Sequence, residues 1–156
     1  MTSFFEYRAG IAAPAEIAWE VLYDVKNWPL WNPLYIETEG EVRLGQTLTV
    51  KQVLPGDEPE TLRPKITDWV PQSHVYWHLS WLGGLVRVQR YFELEAVSET
   101  GCIFANGEVF RGLLGPYVGN RLKHRLRKGY RLMGEALRER AQNLWIARGG
   151  TPVSDT

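Results

Sequence analysis

The stretch 115–148, GPYVGNRLKHRLRKGYRLMGEALRERAQNLWIAR, repeats apolar residues at spacings of three and four. This spacing predicts an α-helix with one apolar side, and the two glycines at 149–150 provide an end for it. A helix over 116–148 would be roughly 50 Å long, far above the usual length, so it needs a large partner surface. The apolar positions are Val118, Leu122, Leu126, Tyr130, Met133, Leu137, Ala141 and Leu144.

The residues before this helix predict the partner surface as a series of short strands separated by turn residues. Connections this short favour antiparallel neighbours. Between the first and second strands, Pro14 begins a helix that must end before Trp28-Pro29, and a second short turn is predicted at 24–28. The predicted strands are 4–11, 34–42, 46–54, 61–70, 74–82, 86–97 and 102–110.

The 156 residues are the size of one ordinary domain. We expect a single domain over 1–148 and a frayed, flexible tail over 149–156. No apolar run is long enough for a membrane span, and the N-terminus MTSFFEYRAG has no signal-peptide features. We therefore expect a cytoplasmic protein without stable membrane insertion.

The order of strand, two short helices, six strands and long terminal helix resembles the helix-grip fold of the START-like superfamily. This superfamily is also called SRPBCC, or the polyketide cyclase/dehydrase and lipid transport group. The resemblance implies an α+β fold in which a curved antiparallel sheet of about seven strands wraps around the long helix, leaving a cavity for a hydrophobic small molecule. The matching segments are IAAPAEIAWEVLYD at 11–24, WPLWNP at 28–33, RYFELE at 90–95 and GEVFRGLLGP at 107–116.

Strand alternation predicts which side chains would line such a cavity. In 74–82 the phase with two tryptophans is apolar, and in 86–97 one cation shares a face with apolar neighbours. In 102–110 two phases compete, and we predict that the one with larger aromatics, Phe104 to Phe110, lies inside. The predicted ligand-lining residues are Trp31, Trp77, Leu79, Trp81, Arg90, Phe92, Asn106, Glu108, Tyr130 and Met133.

Arg90 and Glu108 are the two charges on these inner phases. If both point inward they could pair across the sheet and orient a carbonyl or carboxylate of a ligand. The alternative is a partly solvated ion pair near the end of the sheet. Gly129 and Gly134 lie mid-helix, where each costs about 1 kcal/mol relative to alanine. A bend, a close approach to the sheet or room for a ligand would compensate.

The chain lacks the motifs of common catalytic and metal sites. Its one cysteine, Cys102, rules out an internal disulfide, and with three scattered histidines it makes no cysteine-rich zinc site. We expect no metal and no cofactor. None of the histidines stands beside an obvious serine or cysteine nucleophile, and phosphate-loop and dinucleotide-binding motifs are missing.

The net charge of zero is unevenly distributed. Residues 1–110 contain 8 Lys and Arg against 15 Asp and Glu, whereas residues 111–156 contain 10 against 3. The basic segment of the helix would attract anionic lipid headgroups or an acidic partner, or would simply be a solvated outer face. Nucleic-acid binding is disfavoured, because no aromatic platform is interleaved with the cations.

The leading hypothesis is that the chain binds, sequesters or transports a hydrophobic small molecule or lipid. One alternative is a polyketide cyclase or aromatase-like enzyme that uses Arg90, Glu108 or Tyr130 in the same cavity. Another is a structural module whose cavity has collapsed. Trp28 and Trp31 are expected to plug the junction of the short helices with the end of the long one, and Trp31 alternatively reaches the cavity mouth.

Overall fold

The long terminal helix is the element around which the other secondary structure is arranged. A computed structural model describes residues 3–151, and in it a curved antiparallel sheet wraps around this helix, as the α+β helix-grip prediction requires. The elements are β1 Ser3–Ile11, α1 Ala15–Tyr23, a 3-10 helix Val25–Leu30, β2 Tyr35–Glu39, β3 Thr49–Gln52, β4 Glu60–Leu62, β5 Lys65–Val70, β6 His74–Trp81, β7 Val86–Ser98, β8 Gly101–Arg111 and α2 Gly115–Ala147.

Within residues 3–151 eight strands form rather than about seven, in a five-stranded sheet of order β1-β8-β7-β6-β5 and a three-stranded sheet of order β2-β3-β4. The predicted strand 61–70 is divided into β4 and β5 at Pro64, which has no N–H to donate to a strand ladder. The carbonyl of Pro64 instead accepts a bond from the N–H of Leu48 at 2.8 Å, and Thr47 bridges to Lys65. Residues 46–48 thereby connect the two sheets.

The two predicted short helices are both present. The expectation that Pro29 ends the second one is wrong, because Pro29 lies inside the 3-10 helix. The N–H groups of Asn27, Trp31 and Asn32 donate to carbonyls of Asp24 and Trp28, so this turn does not require a donor at Pro29.

Gly129 and Gly134 lie where α2 comes close to the strands and loops. A Cβ at Gly134 would lie 2.7 Å from the ring of Tyr7, and one at Gly129 would lie 3.1 Å from the side chain of Leu34. Close approach is therefore what compensates for the two mid-helix glycines.

The described residues reach only the beginning of the predicted tail 149–156. Residues 152–156 lie outside them, so the flexible tail and the single domain over 1–148 stay predictions.

Candidate binding site in the interior

The concave faces of β6, β7 and β8 are the predicted ones. In β8, the two competing phases are resolved in favour of Phe104, Asn106, Glu108 and Phe110, all 0% exposed. In β6 and β7, the predicted inner residues are buried except Trp81, which is half-buried. In β6 and β7 alternation was sufficient because each strand has only two faces and one of them is buried, whereas in β8 the larger aromatics decided between the two phases.

Arg90 and Glu108 form an ion pair at the middle of this concave face. They lie directly opposite each other on β7 and β8. Nε and Nη2 of Arg90 lie 2.9 and 2.8 Å from the same carboxylate oxygen, Oε2 of Glu108, and the two side chains are 3% and 0% exposed. The alternative of a partly solvated pair near the sheet's end is therefore wrong.

The three-stranded sheet supplies two further partners that the sequence did not reveal. Nη1 of Arg90 donates to the hydroxyl of Tyr35 at 2.8 Å and to Oε1 of Gln52 at 2.5 Å. A signal for Gln52 was present, since it is the one polar residue in the alternating phase Leu48, Val50, Gln52, as Arg90 is in its own strand. Tyr35 gave no comparable signal. The inner polar cluster, as the term is used below, consists of Arg90, Tyr35, Gln52, Asn106, Glu108 and Tyr130.

Burial and charge set the protonation states of the cluster. Although burial disfavours the charged guanidinium, the carboxylate of Glu108 raises the pKa of Arg90 well above its usual value. Burial raises the pKa of Tyr35 to about 12. Burial also raises the pKa of Tyr130 well above its ordinary value, with the charge of Glu108 acting in the same direction. Both phenols are thus protonated around neutral pH.

Four buried polar atoms at this site have no hydrogen-bond partner among residues 3–151. Two are acceptors, Oε1 of Glu108 and Oδ1 of Asn106, and two belong to donor groups, the hydroxyl of Tyr130 and Nε1 of Trp77. Unpaired buried polar groups are uncommon in folded proteins and each requires an explanation. This one site therefore offers unpaired acceptors and unpaired donors together.

Aromatic rings make up the apolar wall beside the cluster. Trp77 lies 5.5 Å from Tyr35, 5.8 Å from Trp28 and 5.2 Å from Phe92, measured between ring centroids. Trp28 is 2% exposed and its indole N–H donates to the carbonyl of Leu22. It is thus part of the interior rather than a plug against the end of α2.

Trp31 and Trp81 are not brought to the cluster. Trp31 is half-buried and lines a separate cleft of about 410 Å³ with Asn27 and with Leu144 near the end of α2. This location is the predicted junction between the short helices and the long one. Trp81 packs near Phe110 at the far end of the sheet, with ring centroids 6.5 Å apart.

Leu79, Phe92 and Met133 are buried in the core around the cluster. The sulfur of Met133 lies 3.6 Å from the amide nitrogen of Asn106. Met133 thus places apolar surface directly beside Asn106.

A shallow cleft of about 250 Å³ lies outside the cluster, at the seam between α2 and the three-stranded sheet. Leu34, directly before Tyr35, lines this cleft and contacts Gly129. Leu54 packs near the same glycine, where a Cβ would lie 3.3 Å from its side chain. Two leucines thus pack against α2 at this cleft.

His74 corrects the expectation that no histidine stands beside a nucleophile. Nδ1 of His74 lies 3.1 Å from the hydroxyl of Ser73, and Nε2 lies 2.9 Å from Asp68. The group is on the outer face at the β5–β6 turn, where the N–H of Ser73 donates to the carbonyl of Val70. The amide of Ser73 is therefore already used, so it does not serve as an oxyanion donor.

Residues 3–151 lack two kinds of feature. No group of three or more His, Cys, Asp or Glu side chains in this range is arranged to hold a metal ion. No helix in the same range combines the length and apolar character needed to cross a membrane.

Comparison with known proteins agrees with the architecture. The family described as polyketide cyclase / dehydrase and lipid transport matches residues 5–142. A search of curated proteins by sequence finds no match. Among solved structures, the Zhui aromatase/cyclase from Streptomyces sp. R1128 is 17% identical with a TM-score of 0.75, covering 97% of this chain and 100% of that one.

Two other solved structures show the same fold in proteins of different description. A START superfamily protein from Mycobacterium smegmatis is 16% identical, with a TM-score of 0.72, covering 90% of this chain and 98% of that one. Norcoclaurine synthase from Thalictrum flavum, in complex with dopamine and hydroxybenzaldehyde, is 16% identical with a TM-score of 0.68, covering 89% of this chain and 86% of that one. At these identities the likeness concerns the fold alone. The match over residues 5–142 establishes that this chain belongs to the polyketide cyclase / dehydrase and lipid transport family.

Proposed function

We propose that the chain binds a neutral hydrophobic small molecule carrying a hydroxyl or enol group, in the interior between the sheet and α2. The observation that carries this proposal is the set of unpaired buried polar atoms at the inner polar cluster, on Trp77, Asn106, Glu108 and Tyr130. Each such atom costs about 1–3 kcal/mol when left unpaired. A ligand hydroxyl donates to an acceptor and accepts from a donor, so it relieves both kinds at once.

The charges of the cluster favour a neutral ligand over a carboxylate. Arg90 directs Nε, Nη1 and Nη2 to Glu108, Tyr35 and Gln52, so its charge is already neutralised. The atom left for a ligand is an oxygen of the Glu108 carboxylate. A ligand carboxylate would meet that oxygen in a low-dielectric interior, where like charges repel strongly. Arg90 therefore acts through Glu108 rather than as a clamp for an anion.

The apolar part of the ligand would pack against Trp77, Phe92 and Met133, which surround the polar atoms. Burial of apolar surface contributes about 25 cal/mol per Å² before ordering costs. We assign ligand access to the seam at Leu34, Leu54 and Gly129, where a surface cleft lies against α2 and next to the residue that precedes Tyr35 of the cluster. Sequestration or transport of the bound molecule is the role that such a closed interior suits.

A second candidate function is a cyclase-like reaction on a poly-ketone chain, and the presence of the Tyr130 hydroxyl near the Glu108 carboxylate favours it. The Tyr130 phenol stays protonated because burial raises its pKa, so it can donate to a substrate carbonyl. The unpaired oxygen of Glu108 can accept a proton from a neighbouring carbon. Proton transfer of this kind would promote enolisation before ring closure.

The test compares 2-naphthol with 2-naphthoate, which share one ring system and differ in hydroxyl against carboxylate. We expect saturable binding of 2-naphthol by calorimetric titration, and binding of 2-naphthoate weaker by about tenfold or more. Native mass spectrometry of the purified protein is the companion measurement for a molecule retained from the cell.

A Glu108→Gln variant sharpens the test. It leaves Arg90 without its anionic partner, so 2-naphthoate should now raise the melting temperature more than 2-naphthol does. Glu6→Gln is the matched control, because Glu6 lies on the outer face and accepts a hydrogen bond from Tyr91.

No saturable binding of either probe, with no retained molecule, would favour the collapsed structural module. Loss of poly-ketone turnover in Tyr130→Phe with ligand affinity preserved would favour the enzyme.

A further inference from the structure

Two loops come together at the end of the sheet where α2 begins. One joins β6 to β7 at 82–85, and the other joins β8 to α2 at 112–114. The N–H of Leu114 donates to the carbonyl of Leu85 at 2.9 Å, and a Cβ at Gly112 would lie 2.5 Å from that same carbonyl oxygen. The loops therefore form one surface. We call it the apolar tip, and it consists of Leu82, Leu85, Leu113, Leu114 and Tyr117.

The side chains of the apolar tip point into solvent. Leu113 is 85% exposed, Leu82 and Tyr117 are each 64% exposed, and Leu85 and Leu114 are 42% and 38% exposed. Single exposed apolar residues are normal, but a contiguous group of four leucines and a tyrosine marks an interaction surface.

The backbone at Leu82 is held in a conformation that leucine disfavours. Its φ is +54°, in the left-handed region, and the two following glycines also have positive φ. A side chain with a Cβ costs about 1–2 kcal/mol in this region, whereas glycine does not. The local turn would therefore favour glycine at position 82 and does not explain a leucine. What the leucine adds is an apolar side chain that points into solvent.

The stretches of chain that contain the apolar tip are rich in cations. Arg87 and Arg111 lie directly opposite each other on β7 and β8, both exposed, and neither forms a salt bridge within residues 3–151. Like charges directly opposite in a sheet are destabilising. The sequence contains no Asp or Glu over 69–92 or over 109–134, the two stretches that contain these loops. An anion placed against the two arginines would remove their repulsion.

We propose that the apolar tip docks onto a bilayer surface that contains anionic phospholipid. The leucines and Tyr117 enter the interfacial region, and Arg87, Arg111 and Arg121 contact lipid phosphates. A bilayer with anionic lipids combines an apolar interior, which can accept the leucines, with a layer of negatively charged headgroups, which can contact the arginines. A second copy docked through the same surface would bring these cations against their own equivalents. The proposal goes beyond ligand binding and does not depend on it.

The first test is sedimentation with vesicles of phosphatidylcholine, with and without phosphatidylserine, using the full chain. We expect binding only to vesicles that contain phosphatidylserine, weakening as salt is added. Leu82→Gly with Leu113→Ala should lower the partition coefficient about tenfold or more. The glycine also relieves the positive φ, so the variant should be at least as stable as the parent. Leu44→Ala, which removes a 67% exposed leucine from the β2–β3 connection, is the matched control and should bind like the parent.

The second test removes the arginines. Each of Arg87→Ser and Arg111→Ser should lower the partition coefficient about fivefold, whereas Arg43→Ser, which changes an exposed arginine on the β2–β3 connection, should change it little.

Equal binding to both kinds of vesicle, no binding to either, or equal loss in the control variants overturns the proposal. A concentration-dependent dimer that disappears in Leu113→Ala also overturns it, in favour of self-association. The tip variants should bind 2-naphthol like the parent, so the membrane proposal and the ligand proposal fail separately.

Discussion

Strands β7 and β8 carry two charged pairs that lie three positions apart and differ in almost every respect. Arg90 lies opposite Glu108 on the concave face, where both side chains are buried and hydrogen-bonded. Arg87 lies opposite Arg111 on the outer face, where both are exposed and repel each other. The same two strands therefore contain an interior pair whose loss should be costly and a surface pair whose loss should be almost free. Environment, rather than register, decides which pair stabilises the fold.

The largest expected effect comes from breaking the interior pair. Arg90→Leu leaves the Glu108 carboxylate buried and unpaired, so the free energy of unfolding in urea should fall by about 3–5 kcal/mol. Arg90→Leu combined with Glu108→Leu removes both charges and should recover most of the loss. A double variant as unstable as the single one would contradict a charge-based explanation and indicate a packing role for the guanidinium.

Tyr35→Phe tests the contact between the two sheets. It removes an acceptor for Arg90, whose other partners remain, so we expect a loss of about 1.5–3 kcal/mol in the free energy of unfolding. Tyr76→Phe is the control, because that hydroxyl donates to Glu93 on the outer face and water can replace it. Equal losses in the two variants would show that burial of Tyr35 adds nothing.

Arg111→Glu converts the surface pair into an attractive one. The free energy of unfolding should rise by about 0.2–1 kcal/mol, and added salt should reduce the gain. Urea denaturation at low and high salt measures both. A destabilised variant would mean that another group already neutralises Arg111.

The smallest effect concerns His78 on the same outer face. His78 lies opposite Gln89 on β7 and is therefore a diagonal neighbour of Arg87. Burial and then the charge of Arg87 lower the pKa of His78 below its ordinary value. Its neutral form is therefore favoured in the folded state, so its contribution to stability is present above its unfolded pKa and is lost as pH falls from that value through the lower folded pKa. Arg87→Ser should raise the pKa of His78 only partway in an NMR titration, because burial remains. A full return to the ordinary value would make the arginine the main cause.

The inner faces of the strands could be predicted because the signals are local. Alternation in β6 and β7 identified Trp77 and Arg90 as inward residues, and the larger aromatics in β8 selected the phase that contains Glu108. Ligand contact by these residues remains a proposal.

Residues that meet across the two sheets could not be predicted in the same way. Tyr35 and Gln52 reach Arg90 from strands that are far away along the chain, and their separation gives no periodic signal. Trp31 was expected at the cavity mouth on one of two interpretations, yet it lines the cleft beside Leu144. A pattern in one segment specifies which face a side chain occupies, but not which distant segment covers that face.

The sequence by itself predicted the long helix over 116–148 and the succession of strands before it, because helical period, strand period and turn residues are local features. The resemblance of four short segments, in order, indicated the family. Only the tertiary structure decided that Pro64 divides one predicted strand, that Arg90 has three side-chain partners, and that leucines of two separate loops form one exposed surface. These features depend on contacts between residues distant in sequence. Their energies come from burial and charge in the assembled interior and surface, which no local pattern records.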